Sequence, residues 1–341
     1  MTIKTVSYYM WVLSWLVLVA RPAAAVPVPV FHIGALVRGA DVVAMGTVVG
    51  VTDMGAITVD VTHGYRTSGH RKSAALVIDQ VLKGDSSLKS IQLRFIDTDE
   101  FVGYRDVVQG QYGVFLLKQR DDYYEFVSSY YPFITALAGT VVSGGAIDGI
   151  VEASAAILRS RDASTGLKGE AIGVLGQVDL KSAGSMAALT FALGDRSEAV
   201  RGVALGALLR AGDSNALAMA EAALLRPDAQ TSPELRRRLL IVISQEFSVD
   251  ALAIPTLGRL LAAPDTDTRR AVAQALKRTH SDVVVGLLAI ALNDSDIEVR
   301  HKAVMGLSAA TNQLEWSPSM LEFTMHQERY MQHWTEWLRN H

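Results

Sequence analysis

The second half of the chain carries one pattern of apolar and polar positions that recurs at intervals of 35, 33 and 31 residues. It is clearest at Leu292–Leu307, where a polar turn precedes a helix whose apolar residues recur at helical spacing. Other copies are Leu193–Leu208, Ala262–Leu276 and, more loosely, Thr231–Ile243. Each copy opens its helix with one basic residue: Arg201, Arg236, Arg269 and Arg300. Because one helix pair cannot bury its apolar face alone, this period predicts a stacked array.

Each repeat is interpreted as a first helix, a polar turn and a second helix. The five predicted pairs lie near 150–178, 182–210, 214–246, 249–278 and 281–309. Together they predict an α-solenoid over residues 150–312. The turn-rich segment Thr140–Gly149 precedes it, and Asp148 or a neighbour is expected to cap the first helix, Ile150–Arg159.

The last segment, residues 316–341, is expected to close the array. One helix, roughly Ser319–Arg339, is predicted here, and solenoids need an end cap with one apolar face. Its large apolar residues are Phe323, Tyr330, Trp334, Trp337 and Leu338. Glu322, His326 and His333 share one side of this helix, but no H-E-x-x-H motif occurs, so we interpret the helix as a cap and predict no metal site.

The N-terminal half has the shorter, alternating apolar runs that are typical of β-strands. The predicted strands are Asp41–Val51, Ile57–Val61, Ala74–Leu82, Ile91–Ile96, Gly113–Lys118 and Tyr123–Val127. Five or six short strands within about a hundred residues favour a small barrel or sandwich. The expected fold class is therefore an α+β multidomain chain: a small antiparallel β barrel over residues 26–145, then the helical solenoid and its capping helix.

The first 25 residues have the layout of a secretory signal peptide. Lys4 is followed by an apolar run (Tyr8–Ala20) that is too short to span a bilayer, and Ala23–Ala25 offers an A-x-A cleavage site. An exported bacterial protein, periplasmic or extracellular, is expected, with an uncleaved anchor as the alternative. Loss of Lys4 and Arg21 would change the formal net charge from −3 to −5, a poor profile for binding nucleic acid. Cysteine is absent from the sequence, so no disulfide or thiolate metal site is possible.

Three segments of the N-terminal half carry a resemblance to a known family: Ala40–Val48, Val77–Gly84 and Gly110–Lys118. Over about residues 35–130 the chain resembles exported bacterial domains with an OB-like barrel, related to the netrin and tissue-inhibitor-of-metalloproteinase module. Inhibitors of that fold chelate the target's metal through an N-terminal cysteine. Since this chain has no cysteine, the resemblance implies the fold and not the inhibitory activity.

The repeats Ala192–Leu208 and Ala291–Leu307 resemble HEAT repeats, in particular the short type found in phycobilisome-lyase-like proteins. In that family an aspartate six residues before the arginine joins it in a ladder that runs between repeats. The resemblance implies structural roles for Asp195 with Arg201 and for Asp294 with Arg300. Gln230 and Ala263 occupy the equivalent positions before Arg236 and Arg269.

Seven further basic residues fall on the second helices, which line the concave face of HEAT arrays. They are Arg237, Arg238, Arg270, Lys277, Arg278, His301 and Lys302. We interpret them as a basic stripe that binds an acidic segment of a protein partner. A solvated, charge-rich helix face is the alternative.

The sequence contains no G-x-S-x-G elbow, phosphate-binding loop or dinucleotide glycine fingerprint, and no catalytic residue or cofactor is predicted. The expected function is therefore protein binding through the solenoid surface. One alternative is carbohydrate or cell-wall binding by the tyrosines of the β domain: Tyr104, Tyr112, Tyr123, Tyr124, Tyr130 and Tyr131. Another is a hydrolase with grouped carboxylates at the domain junction.

Overall fold

The computed structural model describes residues 32–62, 65–98, 107–128, 133–225 and 231–341. The predicted signal peptide and its cleavage site lie outside the described residues. Residues 32–341 form one compact unit, in which a β-rich region is followed by a helical repeat region. The α+β multidomain expectation is confirmed at this level.

The β-rich region begins with a short helix, α1 (Ile33–Gly39), and continues as six strands. The strands are β1 (Val42–Thr62), β2 (Tyr65–Lys83), β3 (Ser90–Asp97), β4 (Tyr112–Gln119), β5 (Tyr124–Phe126) and β6 (Phe133–Thr135). Strand β1 pairs antiparallel with both β2 and β4, and β3 pairs antiparallel with β2 and parallel with β5. Because β5 also pairs with β4, the pairings return to β1.

Residues of both faces of β4 are buried, from Gly113 to Leu117. One face contributes Phe115 and Leu117 to a core shared with β1, β2 and β3, and helix α1 packs against the same strand. Because both faces of β4 are buried, its sequence is a continuous apolar run. A strand with one solvent-exposed face instead alternates apolar and polar residues.

Strands β1 and β2 form a hairpin much longer than predicted. The sequence suggested that Ile57–Val61 is a separate strand, but β1 runs unbroken from Val42 to Thr62. Its register shifts between Asp53 and Ala56, and Gly55 has a φ of 111°, so the chain bulges there and does not turn. Strand β2 likewise begins at Tyr65, because polar residues beyond the core still pair through their main chains.

The described residues of the helical region form five helix pairs, close to the predicted limits. The pairs are α2 (Ala146–Arg159) with α3 (Thr165–Val178), α4 (Ala183–Ala192) with α5 (Glu198–Ala211), α6 (Ser214–Leu225) with α7 (Pro233–Gln245), α8 (Ile254–Leu261) with α9 (Thr266–Lys277), and α10 (Val285–Ala291) with α11 (Ile297–Ala310). A 3₁₀ turn, Asp282–Val284, precedes α10. The second helices α3, α5, α7, α9 and α11 pack on one another in chain order, and we call them the second-helix layer.

Helix α2 begins four residues earlier than predicted. Its N-cap is Gly145, with no side-chain cap, and Asp148 lies inside the first turn. The predicted capping role of Asp148 is therefore wrong. A carboxylate in the first turn is still favourable, since it faces the partial positive charge of the helix N-terminus.

The single C-terminal helix is also a wrong prediction, because the segment forms two helices, α12 (Met320–Met325) and α13 (Gln327–Asn340). They meet at His326, whose backbone is non-helical, and both pack against α11. The break allows Phe323 of α12 and Trp334 of α13 to be fully buried in the core of the array.

Polar side chains join the β-rich region to the first helix pair. Gln80 of β2 exchanges two hydrogen bonds with the main chain of Val142, at 2.8 and 3.4 Å. Thr135 of β6 donates to the carboxylate of Glu170 on α3 at 3.1 Å. These contacts, between residues far apart in sequence, hold the β-rich region on the start of the array.

Candidate protein-binding surface

A ladder of ion pairs connects successive repeats of the array. Lys168 donates to the carboxylate of Asp195 at 2.5 Å, Arg236 binds Asp265, and Arg269 binds Asp294 at 2.7 Å. In each pair the cation opens one second helix, and the acid lies in the turn before the next. Lys168 and Asp195 are almost fully buried, and the hydrogen bond from Lys168 lowers the pKa of the Asp195 carboxyl.

Arg269 of the ladder, and the equivalent residues Arg201 and Arg300, also fix the turns of their own repeats. Arg269 donates to the carbonyls of Ala263 and Pro264, at 2.9 and 3.1 Å. Arg201 and Arg300 donate in the same way to the residues six and five positions before them, at 2.7–3.1 Å. The pairing implied for Asp195 with Arg201 thus uses the main-chain oxygen of Asp195, because its carboxylate belongs to Lys168.

Ala263, which lacks a carboxylate, does not interrupt the ladder. Asp265, two residues later, accepts from Arg236 and also caps α9 by accepting from the amide of Thr268. At the end of the array Arg300 donates to the side chain of Gln327 on α13, at 3.2 Å. Gln230, which occupies the equivalent position before Arg236, lies outside the described residues.

The seven residues of the predicted stripe lie on, or directly after, the helices α7, α9 and α11. Arg237 and Arg238 share the carboxylate of Glu234, at 2.9 and 3.4 Å. Arg270 makes two hydrogen bonds to Asp296, at 3.0 and 2.6 Å, and these hydrogen bonds lower the pKa of Asp296 to about 2. Lys302 contacts Glu298 at 3.3 Å. Acids of this chain therefore neutralise much of the stripe.

The other stripe residues contact the neighbouring helices. Arg278 donates to the carbonyl of Ser244 at 2.7 Å, and His301 hydrogen bonds to the carbonyl of Pro318 at 2.9 Å. The backbone of Lys277 lies close to Gly306. A role for the stripe in binding an acidic partner stays a prediction, and such a partner would compete with the acids already there.

An open groove lies between α5 and α7 in the second-helix layer, with a volume of about 250 Å³. Val203 and Ile241 supply its apolar surface, and Ile241 is 36% exposed. Arg237 and Arg238 lie on one side, and Arg210 lies near Glu246, with which it forms an ion pair of 3.1 Å.

Sequence reasoning missed Arg210, Ile241 and Glu246 of this groove. Ile241 gave a signal, since it falls between the buried positions Leu239 and Val242 of an amphipathic helix. An apolar residue off the buried stripe of a helix is a candidate contact residue.

The two alternative sites can be compared with the structure. Tyr112 is the first residue of β4 and pairs with Thr47 of β1. Tyr124 of β5 pairs with Gln119, the last residue of β4. These two tyrosines therefore lie at opposite ends of β4 and do not cluster. Tyr123 packs under Arg94, with 4.2 Å from the guanidinium carbon to the ring centre. Tyr104, Tyr130 and Tyr131 lie outside the described residues.

At the domain junction, a cavity of about 220 Å³ between Phe133 and Val174 is mainly apolar. Glu170 is the one carboxylate among its described lining residues, and it accepts from Thr135. Within the described ranges, no group of three or more potential metal ligands is found, and no helix is long and apolar enough to cross a membrane.

Comparisons with known proteins bear on the helical region. Residues 228–308 match the family model for HEAT repeats. The chain is similar to the complex of CpcE and CpcF of phycocyanin lyase from Nostoc sp. PCC7120, with 22% identity, a TM-score of 0.36, and coverage of 53% of this chain and 70% of that chain. It is similar to YibA from E. coli, with 22% identity, a TM-score of 0.30, and coverage of 47% of this chain and 59% of that chain. No curated protein sequence matches the chain. The chain therefore contains HEAT repeats over residues 228–308.

Proposed function

We propose that this chain is an exported protein-interaction scaffold whose second-helix layer binds a partner protein. HEAT repeats are built to present an extended surface, and their stability comes from contacts between neighbours, which leaves one face available for partners. The observation that carries the proposal is the groove between α5 and α7. It combines a half-exposed isoleucine, Ile241, with arginines at its sides.

The groove is pre-formed because α5 and α7 approach closely. A Cβ atom at Gly202 would lie 2.9 Å from the side chain of Leu235, and one at Gly206 would lie 3.3 Å from that of Val242. Substitution of either glycine would therefore require the side chain of Leu235 or Val242 to shift. A rigid groove costs little conformational entropy on binding, which favours affinity.

The charges beside the groove indicate the kind of segment it would take. Glu234 is shared by Arg237 and Arg238, and Glu246 pairs with Arg210, so three arginines face two carboxylates. A partner segment with one apolar side chain for Ile241 and a neighbouring acid would complement this surface. The basic residues Arg270 and Lys302 would extend the contact along the layer.

The finer identity of the β-rich region is part of the same proposal. We infer an OB-like barrel over residues 26–145, and the cyclic order of strand pairings, β1-β2-β3-β5-β4 and back to β1, supports it. The solenoid (150–312) and the cap (316–341) complete the proposed domains. Cleavage after Ala25 would leave Val26 as the mature N-terminus, which N-terminal sequencing of the chain recovered from the periplasm or medium would test.

The binding proposal is tested by capture of partners on the full chain, tagged at its C-terminus, from an envelope extract. The variant Ile241→Glu places a charge in the groove, and Leu252→Glu does the same at an apolar side chain that is 81% exposed and does not line the groove. The proposal expects a protein held by the parent and by Leu252→Glu but lost from Ile241→Glu. Equal capture by both variants would contradict a role for the groove.

A further inference from the structure

A second groove lies where the first two repeats turn, at a distance along the chain from the α5–α7 groove. It is formed by the turn between α2 and α3 and the turn between α4 and α5, and its volume is about 620 Å³. Its lining includes three arginines, one aromatic ring and one ion pair: Arg159, Arg161, Arg196, Phe191, and Lys168 with Asp195. These residues are not grouped by any pattern in the sequence.

None of the three arginines forms an ion pair with a described carboxylate. Among the described residues, no Asp or Glu oxygen lies within 4.0 Å of the guanidinium nitrogens of Arg159, Arg161 or Arg196. The one acid in the lining, Asp195, is held by Lys168 at 2.5 Å. Arg159 acts on Glu152 only at longer range, since that carboxylate accepts from the amide and hydroxyl of Ser143. Asp195 also interacts with Arg196 at longer range. The groove nevertheless carries a net positive charge, because three arginines and Lys168 face this one carboxylate among its described lining residues.

The turn that carries Arg196 is fixed by hydrogen bonds. The carbonyl of Arg196 accepts a hydrogen bond from Arg201 at 3.1 Å. The guanidinium of Arg196 donates to the carbonyl of Arg161 at 3.2 Å, which links the two turns. The amide of Ser197 donates to Asp195 at 2.8 Å. Beside them the ring of Phe191 is 54% exposed. Aromatic residues and arginine are both enriched in protein–protein interfaces.

The positive charge is not required by the repeat itself. The carbonyl five residues before the ladder-position arginine accepts a hydrogen bond from it in three repeats: Arg196 from Arg201, Pro264 from Arg269, and Ser295 from Arg300. Pro264 and Ser295 are therefore the counterparts of Arg196 in the turns before α9 and α11. Neither counterpart is charged. The later turns therefore keep the same hydrogen bonds without an arginine, and the basic groove is a local feature of the first two repeats.

We propose that this turn groove binds an acidic segment of a partner protein, with the carboxylates on Arg159, Arg161 and Arg196 and an apolar side chain on Phe191. The volume far exceeds what one carboxylate or inorganic anion needs, and charge complementarity selects an acidic sequence over a neutral one. The inference rests on the proposed binding function only in that the occupant is a protein segment. It adds a main acidic contact at the turn groove, separate from the α5–α7 groove and from the stripe.

The test is fluorescence anisotropy with a labelled peptide of sequence EELEELEE and its neutral analogue QQLQQLQQ, titrated with the full chain. The turn-groove variant is Arg159→Gln/Arg161→Gln/Arg196→Gln. The matched control is Arg210→Gln/Arg237→Gln/Arg238→Gln, which removes the same charge from the α5–α7 groove. Since all six arginines are on the surface, thermal melting should show both variants folded.

We expect the acidic peptide to bind the parent and the control alike, and to bind the turn-groove variant about tenfold or more weakly. The neutral analogue should not compete. Absence of binding to the parent, or an equal loss in both variants, would overturn the turn-groove assignment. A loss in the control alone would overturn it too, and would favour the α5–α7 groove. Partner capture that depends on Ile241 tests the scaffold function separately, so the two proposals can fail independently.

Discussion

Arg269 and Asp294 join two successive repeats through two hydrogen bonds, of 2.7 Å from Nε to Oδ2 and 3.2 Å from Nη2 to Oδ1. Both side chains are nearly buried, with 12% and 9% of their surfaces exposed. Arg269 also donates through Nη1 to the carbonyls of Ala263 and Pro264. One guanidinium therefore sets the shape of its own turn and the position of the next turn.

We predict that Arg269→Ala lowers the free energy of unfolding by about 3 kcal/mol, because it leaves the carboxylate of Asp294 buried without its partner. The matched control is Arg237→Ala. The Arg237 side chain is 64% exposed, so solvent screens its ion pair with Glu234 and its loss should destabilise the fold much less. Urea denaturation followed by helical circular dichroism measures both. Equal costs for the two variants would show that the ladder adds no more than a surface pair.

Alanine substitution at Gly306 and at Gly169 should change the free energy of unfolding in opposite directions. A Cβ atom at Gly306 of α11 would lie 2.7 Å from a methyl of Leu288 and 3.2 Å from the Cα of Lys277. We expect Gly306→Ala to destabilise the array by about 1–3 kcal/mol through this overlap. At Gly169 of α3 nothing lies within 4 Å of an added Cβ, so Gly169→Ala should stabilise the chain by about 0.5–1 kcal/mol. Thermal or urea unfolding of the pair decides the signs, and two values of the same sign would contradict the packing.

The helix pairs of the array could be predicted because their apolar residues face one continuous core. Val299, Val304 and Leu307 keep one side of α11 fully buried, and this burial imposes the spacing that the sequence displays. The partner of each ladder cation could not be predicted in the same way. Lys168 reaches an acid 27 residues later, and Arg269 one 25 residues later, so the choice depends on how two repeats stack.

The full β1–β2 hairpin and the turn groove could not be predicted from the sequence either. The hairpin beyond Val51 pairs through its main chain outside the core, so apart from Ile57–Val61 its side chains carry little pattern. Arg159, Arg161 and Arg196 are exposed and scattered in sequence, and only the stacking of two turns brings them together. Features made by main-chain pairing or by contacts between repeats leave no local signal.

The pair of Asp296 with Arg270 makes stability depend on acid pH. The hydrogen bonds from Arg270, together with the amides of Val299 and Glu298, lower the pKa of Asp296 from 3.8 to about 2. Since the folded-state pKa is the lower one, this stabilisation is complete above about pH 4 and is lost as the pH falls toward 2. We predict that Asp296→Asn costs about 1–2 kcal/mol at neutral pH, and that the difference from the parent shrinks as the pH falls through this range.

Denaturation at a series of pH values measures this difference. Asp267→Asn is the control, because Asp267 is 70% exposed and only 3.9 Å from Arg270 at its nearest approach. Its effect at neutral pH should be small, because solvent screens so exposed a pair. A constant difference between Asp296→Asn and the parent from neutral pH to pH 2 would contradict the pairing.

His333 gives the C-terminal cap a second pH dependence, nearer neutrality. Its ring stacks on Trp316 with 3.6 Å between ring centres, and its Nε2 is buried with no hydrogen-bond partner among the described residues. Burial lowers the pKa of His333, while the nearby acids Glu315 and Glu336 oppose the shift. The guanidinium of Arg329 lies over the Trp316 ring, 5.2 Å from the ring centre. The neutral ring is therefore the form that packs.

Because the folded-state pKa of His333 lies below 6.5, its contribution to stability is complete above that pH and decreases as the pH falls through it. We predict that α12 and α13 exchange amide hydrogens faster relative to α11 at about pH 5.5 than at about pH 7.5, after correction for intrinsic rates. His333→Phe keeps an aromatic ring on Trp316 and should remove this pH dependence, whereas His326→Gln, at an exposed position, should retain it. The same pH dependence in the parent and in His333→Phe would show that another group titrates.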